Sequence, residues 1–236
     1  MQPRTVDAGR GVTWWLDAWA LFLKNVPLWI VLALILFVIL GLLTLVPFIG
    51  SIVAALITPL LMGGWLLASR NVEGGGALEV GDLFACFKAP HLTPLLVVGA
   101  VFLAMFVVIF VVVGMLGFGA FTGLAMGGAN RSIGSVMAGM GMGLLSLLVL
   151  LVLLTLATMA LWFAPALVVF RGVAPLDAMR VSFSASLKNL MPFLLYGLLY
   201  IVAAIVASIP FGLGWLVLLP VVMLTTYVSY KDVFGS

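Results

Sequence analysis

Long stretches without a single charged residue dominate the hydropathy pattern of this chain. Four such runs occupy 25–69, 89–130, 132–170 and 189–230. Each exceeds the roughly 20 apolar residues that one membrane-spanning helix needs. The first and last runs are each interrupted by a Pro–Gly turn signal, at Pro47–Gly50 and Pro210–Gly212. The pattern therefore predicts six spanning helices, at about 28–46, 48–69, 91–118, 143–170, 191–209 and 212–230.

The composition restricts the class of protein further. Of the 236 residues, 66% are hydrophobic and 7% are charged, and the mean hydropathy is +1.41. A water-soluble domain of this size has no core large enough for so much apolar surface. Soluble enzymes, nucleic-acid-binding proteins and disordered proteins are thereby excluded. We expect an all-α polytopic membrane protein that forms one integral membrane domain over 1–236, with no signal peptide because charges at Arg4, Asp7 and Arg10 interrupt the N-terminus.

The distribution of cations predicts the orientation of the chain. With six crossings, both termini and the loops at 70–90 and 171–190 share one side of the membrane. Nine of the ten cations fall on that side: Arg4, Arg10, Lys24, Arg70, Lys88, Arg171, Arg180, Lys188 and Lys231. Only Arg131 falls on the other side. Because short cytoplasmic loops are enriched in Lys and Arg, both termini are expected in the cytoplasm, where the single Cys86 stays a free thiol.

Three similar segments precede the first, third and fifth helices. They are Trp19–Pro27, Leu83–Pro90 and Phe183–Pro192, and each has apolar residues one and five positions before a lysine. Residues four apart share one face of a helix, so each segment is predicted to be an amphipathic helix at the membrane interface. An interfacial helix followed by a spanning hairpin predicts three parallel repeats, at about 13–72, 77–173 and 175–233.

The middle repeat contains an insertion at about 119–143. This segment is rich in glycine and contains Arg131. Two interpretations are open: a helical hairpin that projects from the membrane, or a flexible loop.

Six cations are candidates for contact with lipid headgroups. Lys24, Lys88 and Lys188 end the three interfacial segments, where a cation gains about 1 kcal/mol near an anionic leaflet. The other three end the second helix of each repeat, and they are Arg70, Arg171 and Lys231.

Evidence for chemistry inside the membrane is sparse. No Asp, Glu, Lys or Arg falls within the predicted spans, which argues against ion-coupled transport. The uncharged polar residues predict interhelical hydrogen bonds, or alternatively a polar track for a small substrate: Thr44, Thr58, Thr155, Thr158, Tyr196, Tyr200, Thr225, Thr226 and Tyr227. The lone His91 near Cys86 lacks the further ligands of a metal site and the partners of a catalytic triad.

A methionine-rich stretch lies within the predicted insertion. Met137, Met140 and Met142 could bind copper(I) through their thioethers. The alternative is close helix packing, since Gly139 and Gly143 follow a small-xxx-small spacing. Packing is the preferred interpretation, and no cofactor is expected.

Three segments resemble a known family. Gly81–Phe84 before Lys88, Leu187–Asn189, and Thr226–Asp232 are similar to the uncharacterised YciC-like inner-membrane proteins of bacteria, and more distantly to the membrane domain of some glycerophosphodiester phosphodiesterases. The resemblance implies six helices in a bacterial inner membrane and supplies no catalytic residues.

A non-enzymatic role is the functional expectation. It covers a scaffold, an accessory subunit or a lipid-organising bundle, and the alternative is a transporter or channel for a lipid or apolar small molecule. The expected partners are membrane lipids together with further copies of the chain or a larger membrane complex, and nucleic acid is not expected.

Overall fold

The computed structural model describes residues 3–130 and 133–235, with the side chains of 126–130 left out. All regular secondary structure in these ranges is helical. The α-helices are α1 (Arg10–Leu23), α2 (Val26–Thr44), α3 (Ile49–Glu73), α4 (Leu92–Asn130), α5 (Ile133–Leu161), α6 (Ala164–Arg171), α7 (Pro175–Lys188), α8 (Leu190–Ser208) and α9 (Trp215–Phe234). A short 3-10 helix, Val80–Phe84, lies between α3 and α4.

The prediction of six membrane-length apolar helices is confirmed for the described part of the chain. These helices are α2, α3, α4, α5 continued by α6, α8 and α9. At 1.5 Å per residue, the 19-residue helices α2 and α8 match a hydrocarbon core of about 30 Å. The chain is therefore a multi-pass membrane protein.

The chain divides into two compact units. The first comprises the chain up to Ala100 and from Met159 onward, and the second comprises Val101–Thr158. In the second unit, α4 and α5 pack closely through glycine: a Cβ on Gly123 would lie 2.9 Å from the Cα of Gly139. Helix continues to Asn130 and resumes at Ile133, so the described parts of the 119–143 insertion are helical. Arg131, predicted as the one cation on the opposite side, lies outside the described residues.

Two of the three predicted interfacial segments form α-helices, and each has one exposed face and one buried face. In α1 the predicted stripe of Trp19 and Leu23 is exposed, while Trp14, Ala18 and Phe22 are buried. In α7 the exposed stripe contains Leu176 and Leu187, and the buried face contains Ala178, Met179, Ser182, Ala185 and Ser186. The exposed stripes are available to lipid, and the buried faces pack each helix against the rest of the first unit.

The prediction of an amphipathic helix over Leu83–Pro90 is wrong. The 3-10 helix ends at Phe84, and turns follow it. The cause is a close approach to α3, where Gly64 has no side chain: a Cβ there would lie 2.2 Å from the carbonyl oxygen of Leu83. The segment packs into this gap and buries Leu83 and Cys86 completely, so it cannot lie on the surface as a continuous helix.

Candidate lipid-headgroup site

Cations and carboxylates gather at one end of the first unit. The C-termini of α3, α6 and α9 carry Arg70, Arg171 and Lys231 in their last turns. The last carbonyls of a helix lack intrahelical partners and carry a partial negative charge, so nearby cations stabilise them. We call the region formed by these three helix ends and the adjoining residues of α1 the polar end.

Cations from distant parts of the chain cap these helix ends. Lys24 Nζ donates to the carbonyl oxygens of Val72 at 3.4 Å and Glu73 at 3.2 Å, at the end of α3. Arg171 Nη2 donates to the carbonyl oxygen of Phe234 at 2.9 Å, at the end of α9. Several of the predicted headgroup cations thus also hold the helix ends together.

Asp232 joins α9 to α1. Its Oδ2 accepts hydrogen bonds from Arg10 Nε at 2.6 Å and from the buried Trp14 Nε1 at 2.8 Å. The side chain of Asp232 is only 18% exposed. A largely buried carboxylate with two such donors is well stabilised in its ionised form.

Glu73 joins α3 to α9 in a similar way. Its Oε1 lies 2.5 Å from Lys231 Nζ, and its Oε2 accepts a hydrogen bond of 2.7 Å from the Tyr227 hydroxyl. The two carboxylate oxygens of Glu73 therefore each have a partner on α9.

A first cavity, of about 450 Å³, opens between α1 and α9 at the polar end. Val228 and Asp232, one helical turn apart, form its α9 side together with Lys231. The charged residues around it carry both signs: Arg4, Arg10, Lys24 and Lys231 against Asp17, Glu73 and Asp232.

A second cavity, of about 370 Å³, lies beside α3, α6 and α9. Tyr227, Tyr230 and Lys231 line it because residues three and four apart share one face of α9. The Arg70 guanidinium lies over the Phe170 ring, 4.8 Å from its centroid. Its other lining residues are Glu73 and Arg171, and Arg171 Nε donates to the Tyr230 hydroxyl at 3.1 Å.

The six predicted headgroup residues divide between these cavities and the surface. Lys24 borders the first cavity, Arg70 and Arg171 border the second, and Lys231 borders both. Lys88 and Lys188 are exposed and line neither. The contact of these six residues with lipid stays a prediction.

A buried asparagine at the polar end was not anticipated from the sequence. Asn189 is fully buried between α7 and α8. Its Oδ1 accepts from the backbone N–H of Val6 at 2.8 Å, and its Nδ2 donates to the carbonyl oxygen of Arg4 at 2.9 Å. Arg4 in turn donates from its backbone N–H to Val233 at 2.9 Å and from Nη2 to the carbonyl of Asp232 at 2.7 Å. The N-terminal segment is thereby attached to the start of α8 and the end of α9.

His91 and Cys86 lie just before α4 in the chain. Within the described ranges, no group of three or more His, Cys, Asp or Glu residues is placed to hold a metal ion. Burial raises the pKa of the Cys86 thiol to about 11, because the thiolate would lose its hydration. Cys86 is therefore a protonated, unreactive thiol at neutral pH.

The prediction of interhelical hydrogen bonds is wrong for most of the threonines. Thr44, Thr58, Thr155, Thr158 and Thr226 each donate to a carbonyl three or four residues earlier in their own helix. A hydroxyl on a helix reaches such a carbonyl without a partner helix, which is the physical reason.

Within the described ranges, two hydrogen bonds of these polar side chains join different helices. The hydroxyls of Thr225 and Tyr196 lie 3.1 Å apart, between α9 and α8. Tyr227 binds Glu73 as described above, whereas Tyr200 packs its ring against Trp215 with 6.5 Å between the centroids.

The three methionines do not share one face of α5. Met137 and Met140 are well exposed, whereas Met142 is turned toward α4, with its Cε 3.1 Å from where a Cβ on Gly119 would lie. Gly139 is buried in the α4–α5 contact, consistent with a packing role for this small residue.

An apolar groove lies apart from the polar end. Its volume is about 490 Å³, and it runs between α8 and α9 with side chains of α1 beside it. Its lining is Trp15, Leu16, Trp19, Ala203, Val206, Ala207, Pro210, Gly214, Val217, Leu218 and Val221. None of the threonines and tyrosines predicted for a polar track lines this groove.

Comparison with known proteins identifies a family without an assigned activity. A family model described as a domain of unknown function (DUF7847) matches residues 19–233. A protein of Burkholderia thailandensis named a probable inner membrane protein is 25% identical over 258 aligned positions, which cover 100% of this chain and 94% of that protein. No solved structure matches the chain.

Proposed function

The chain belongs to the family described as a domain of unknown function (DUF7847), and we propose that it is a non-enzymatic protein of the bacterial inner membrane that binds and organises lipids. The observation that carries the proposal is the convergence of four predicted headgroup cations. Lys24, Arg70, Arg171 and Lys231 border two adjoining cavities at one end of the first unit. Phospholipid phosphates lie at the depth where spanning helices end, so cations in this position meet them directly.

The apolar surface supports the same proposal. Large side chains such as Phe110, Leu151 and Val202 are more than half exposed, as expected of helices surrounded by acyl chains. The exposed stripes of α1 and α7 add apolar surface beside the polar end, where an amphipathic helix lies in the interface between acyl chains and headgroups.

The three-repeat architecture is part of this proposal. The order of an interfacial helix and a hairpin recurs in α1 with α2 and α3, and in α7 with α8 and α9. The middle repeat would differ by its short 3-10 segment and its long α4–α5 hairpin. The relation to YciC-like proteins and to the phosphodiesterase membrane domain likewise stays a prediction.

We propose that the polar end faces the cytoplasm, since the positive-inside rule favours the side that holds nine of the ten cations. Reporter enzymes fused after Gly235 test this orientation. A cytoplasm-active reporter is expected to work there, and activity of a periplasm-active reporter would reverse the assignment.

Lipid analysis of the purified protein tests the main proposal. We expect anionic phospholipid to be enriched over its share in the host membrane, and no lipid to be chemically converted on incubation. Replacing Lys24, Arg70, Arg171 and Lys231 with glutamine should abolish the enrichment. A matched variant with glutamine at Lys88, Arg180 and Lys188 should keep it. Equal lipid content in wild type and both variants, matching the bulk membrane, would refute the proposal.

A transporter for a lipid or apolar molecule is the second candidate, and the apolar groove between α8 and α9 favours it. Ala203 lines this groove, so Ala203→Trp should fill it. In reconstituted vesicles, lipid translocation that is lost in Ala203→Trp and kept in the exposed control Val202→Trp would support transport. Absence of translocation by the wild type would eliminate it.

A further inference from the structure

Three cations and one carboxylate are among the described residues that line the second cavity. Arg70, Arg171 and Lys231 line it together with one carboxylate, Glu73. Glu73 is already bound by Lys231 and Tyr227, so it has little remaining capacity to neutralise Arg70. Arg70 therefore makes the cavity suitable for an anion.

Arg70 offers unused hydrogen-bond donors in this cavity. Among the residues that the structure describes, its guanidinium has the Phe170 ring beneath it and no hydrogen-bond or salt-bridge partner. Stacking on an aromatic ring fixes the plane of a guanidinium and leaves its N–H edge available. That edge matches the oxygens of a phosphate group, which it binds with two parallel hydrogen bonds.

Tyr230 adds a second donor of a different kind. Its side chain is almost completely buried, with the residue 1% exposed, yet it lines the cavity. Its hydroxyl oxygen accepts from Arg171 Nε, and within the described ranges its own O–H has no acceptor. A buried hydroxyl hydrogen without an acceptor is costly, and a bound ligand with only acceptor atoms would satisfy it.

We infer that this second cavity binds the phosphate group of an anionic phospholipid headgroup, with Arg70 and Tyr230 as the principal donors. The inference rests on the proposed function, because it takes the polar end to lie at headgroup depth. The volume of the cavity, about 370 Å³, is ample for a phosphate group. Free inorganic phosphate presents the same oxygens, so both sources are tested.

Binding measurements on the full chain in non-ionic detergent test this site. The probes are short-chain phosphatidylglycerol, phosphatidylcholine with the same acyl chains, and inorganic phosphate. We expect Arg70→Gln to weaken phosphatidylglycerol binding by about ten- to a hundredfold, the range for loss of charged hydrogen bonds. Tyr230→Phe, which removes only the hydroxyl, should also weaken binding. The matched charge control is Arg180→Gln, at an exposed cation outside both cavities, and it should bind as the wild type does.

Competition between the probes identifies the ligand of the cavity. Displacement of phosphatidylglycerol by inorganic phosphate, dependent on Arg70, supports the site and shows that free phosphate also occupies it. Preference for phosphatidylglycerol without competition by phosphate supports the lipid as the ligand. Equal binding of phosphatidylglycerol and phosphatidylcholine would show that the negative charge of the headgroup is not recognised and would overturn the inference. Equal weakening by Arg70→Gln and Arg180→Gln, or no weakening by Arg70→Gln, would also overturn it.

A folding defect is controlled by a milder variant. Arg70→Lys keeps the charge at the end of α3 and loses the paired N–H edge, so it should elute as the wild type does in size exclusion and still bind more weakly. Lipid enrichment that is independent of Arg70 would refute this site and leave the proposed function standing. If the protein shows no lipid enrichment but binds inorganic phosphate in a way that depends on Arg70, the site is supported and the proposed function is refuted.

Discussion

Arg10 and Asp232 are joined by a hydrogen bond of 2.6 Å between Nε and Oδ2, although 222 positions separate them in the chain. The same oxygen accepts from Trp14 at 2.8 Å. This one carboxylate therefore holds two residues of α1 against the end of α9. The contact fixes α1 at the polar end and forms part of the first cavity.

Asp232→Ala is expected to destabilise the protein strongly. The substitution leaves the fully buried Trp14 Nε1 without its acceptor and Arg10 without its close carboxylate partner. A loss of about 2–3 kcal/mol in the free energy of unfolding follows from the cost of a broken charged hydrogen bond. Denaturant unfolding in detergent, followed by tryptophan fluorescence, measures it.

The control for that variant is Asp177→Ala. Asp177 and Arg180 form a pair whose side chains are 63% and 79% exposed. Exposed pairs contribute about 0–1 kcal/mol, so this variant should unfold almost as the wild type does. Equal destabilisation by the two substitutions would contradict the role given to Asp232.

Gly64→Ala should disrupt the contact between α3 and the 3-10 helix. The new Cβ would lie 2.2 Å from the Leu83 carbonyl oxygen and 2.6 Å from that of Asp82, both on the backbone. Overpacking of this kind costs about 1–3 kcal/mol or more. Gly41→Ala in α2 is the control, because its Cβ has open space around it and alanine favours the helix. A drop in the melting temperature is expected for Gly64→Ala alone.

Valine substitutions should distinguish the two kinds of threonine. Thr225 is hydrogen bonded to the Tyr196 hydroxyl of another helix, whereas Thr158 donates only within its own helix. Thr225→Val should cost about 0.6–1.7 kcal/mol, the range for interhelical hydrogen bonds in membranes, and Thr158→Val should cost almost nothing. Thermal unfolding of the two variants in the same detergent makes the comparison. A larger effect at Thr158 would contradict the hydrogen-bond assignment.

Cys86 should resist alkylation at neutral pH. Its pKa is raised to about 11, so only about one thiol in ten thousand is ionised near pH 7. Iodoacetamide labelling, measured by mass spectrometry, should therefore be negligible in the folded protein and complete after unfolding. Rapid labelling of the folded protein would show that the thiol is accessible.

The same pKa shift gives a pH dependence of stability. The folded pKa lies above the ordinary thiol value of about 8.5, so ionisation favours the unfolded chain. At a pH below the ordinary thiol pKa, the thiol is protonated in both states and does not make stability depend on pH. As the pH rises from that value to about 11, the thiol lowers the free energy of unfolding. Cys86→Ala, compared with the wild type over this alkaline range, should lack this part of the decline.

The membrane spans could be predicted from the sequence because they depend on local properties. A run of apolar residues long enough for the bilayer, followed by Pro47–Gly50 or Pro210–Gly212, indicates a helix and its turn without knowledge of the rest of the fold. The back-bonding of Thr158 and similar residues was also within reach, since a threonine inside a helix has a carbonyl of its own helix nearby.

The candidate site could be predicted only in part. The cations at the helix ends were identifiable by position, but their partners were not, because Lys231 and Glu73 are 158 positions apart. The middle interfacial segment was mispredicted for a similar reason. The segment has an amphipathic pattern. However, Gly64 on α3 has no side chain and allows the backbone of Asp82 and Leu83 to pack against it, a contact that the local sequence does not reveal.

The attachment of the N-terminal segment has a consequence for the order of folding. Arg4 hydrogen bonds to the carbonyls of Asp232 and Val233, and the first of these is 228 positions later in the chain. At about 5–20 residues per second, a ribosome needs on the order of ten seconds or more to synthesise the intervening chain. Residues made first thus remain without their final partners until translation is nearly finished. Closure of the polar end is therefore a post-insertion event, which comes after the last helix has left the ribosome.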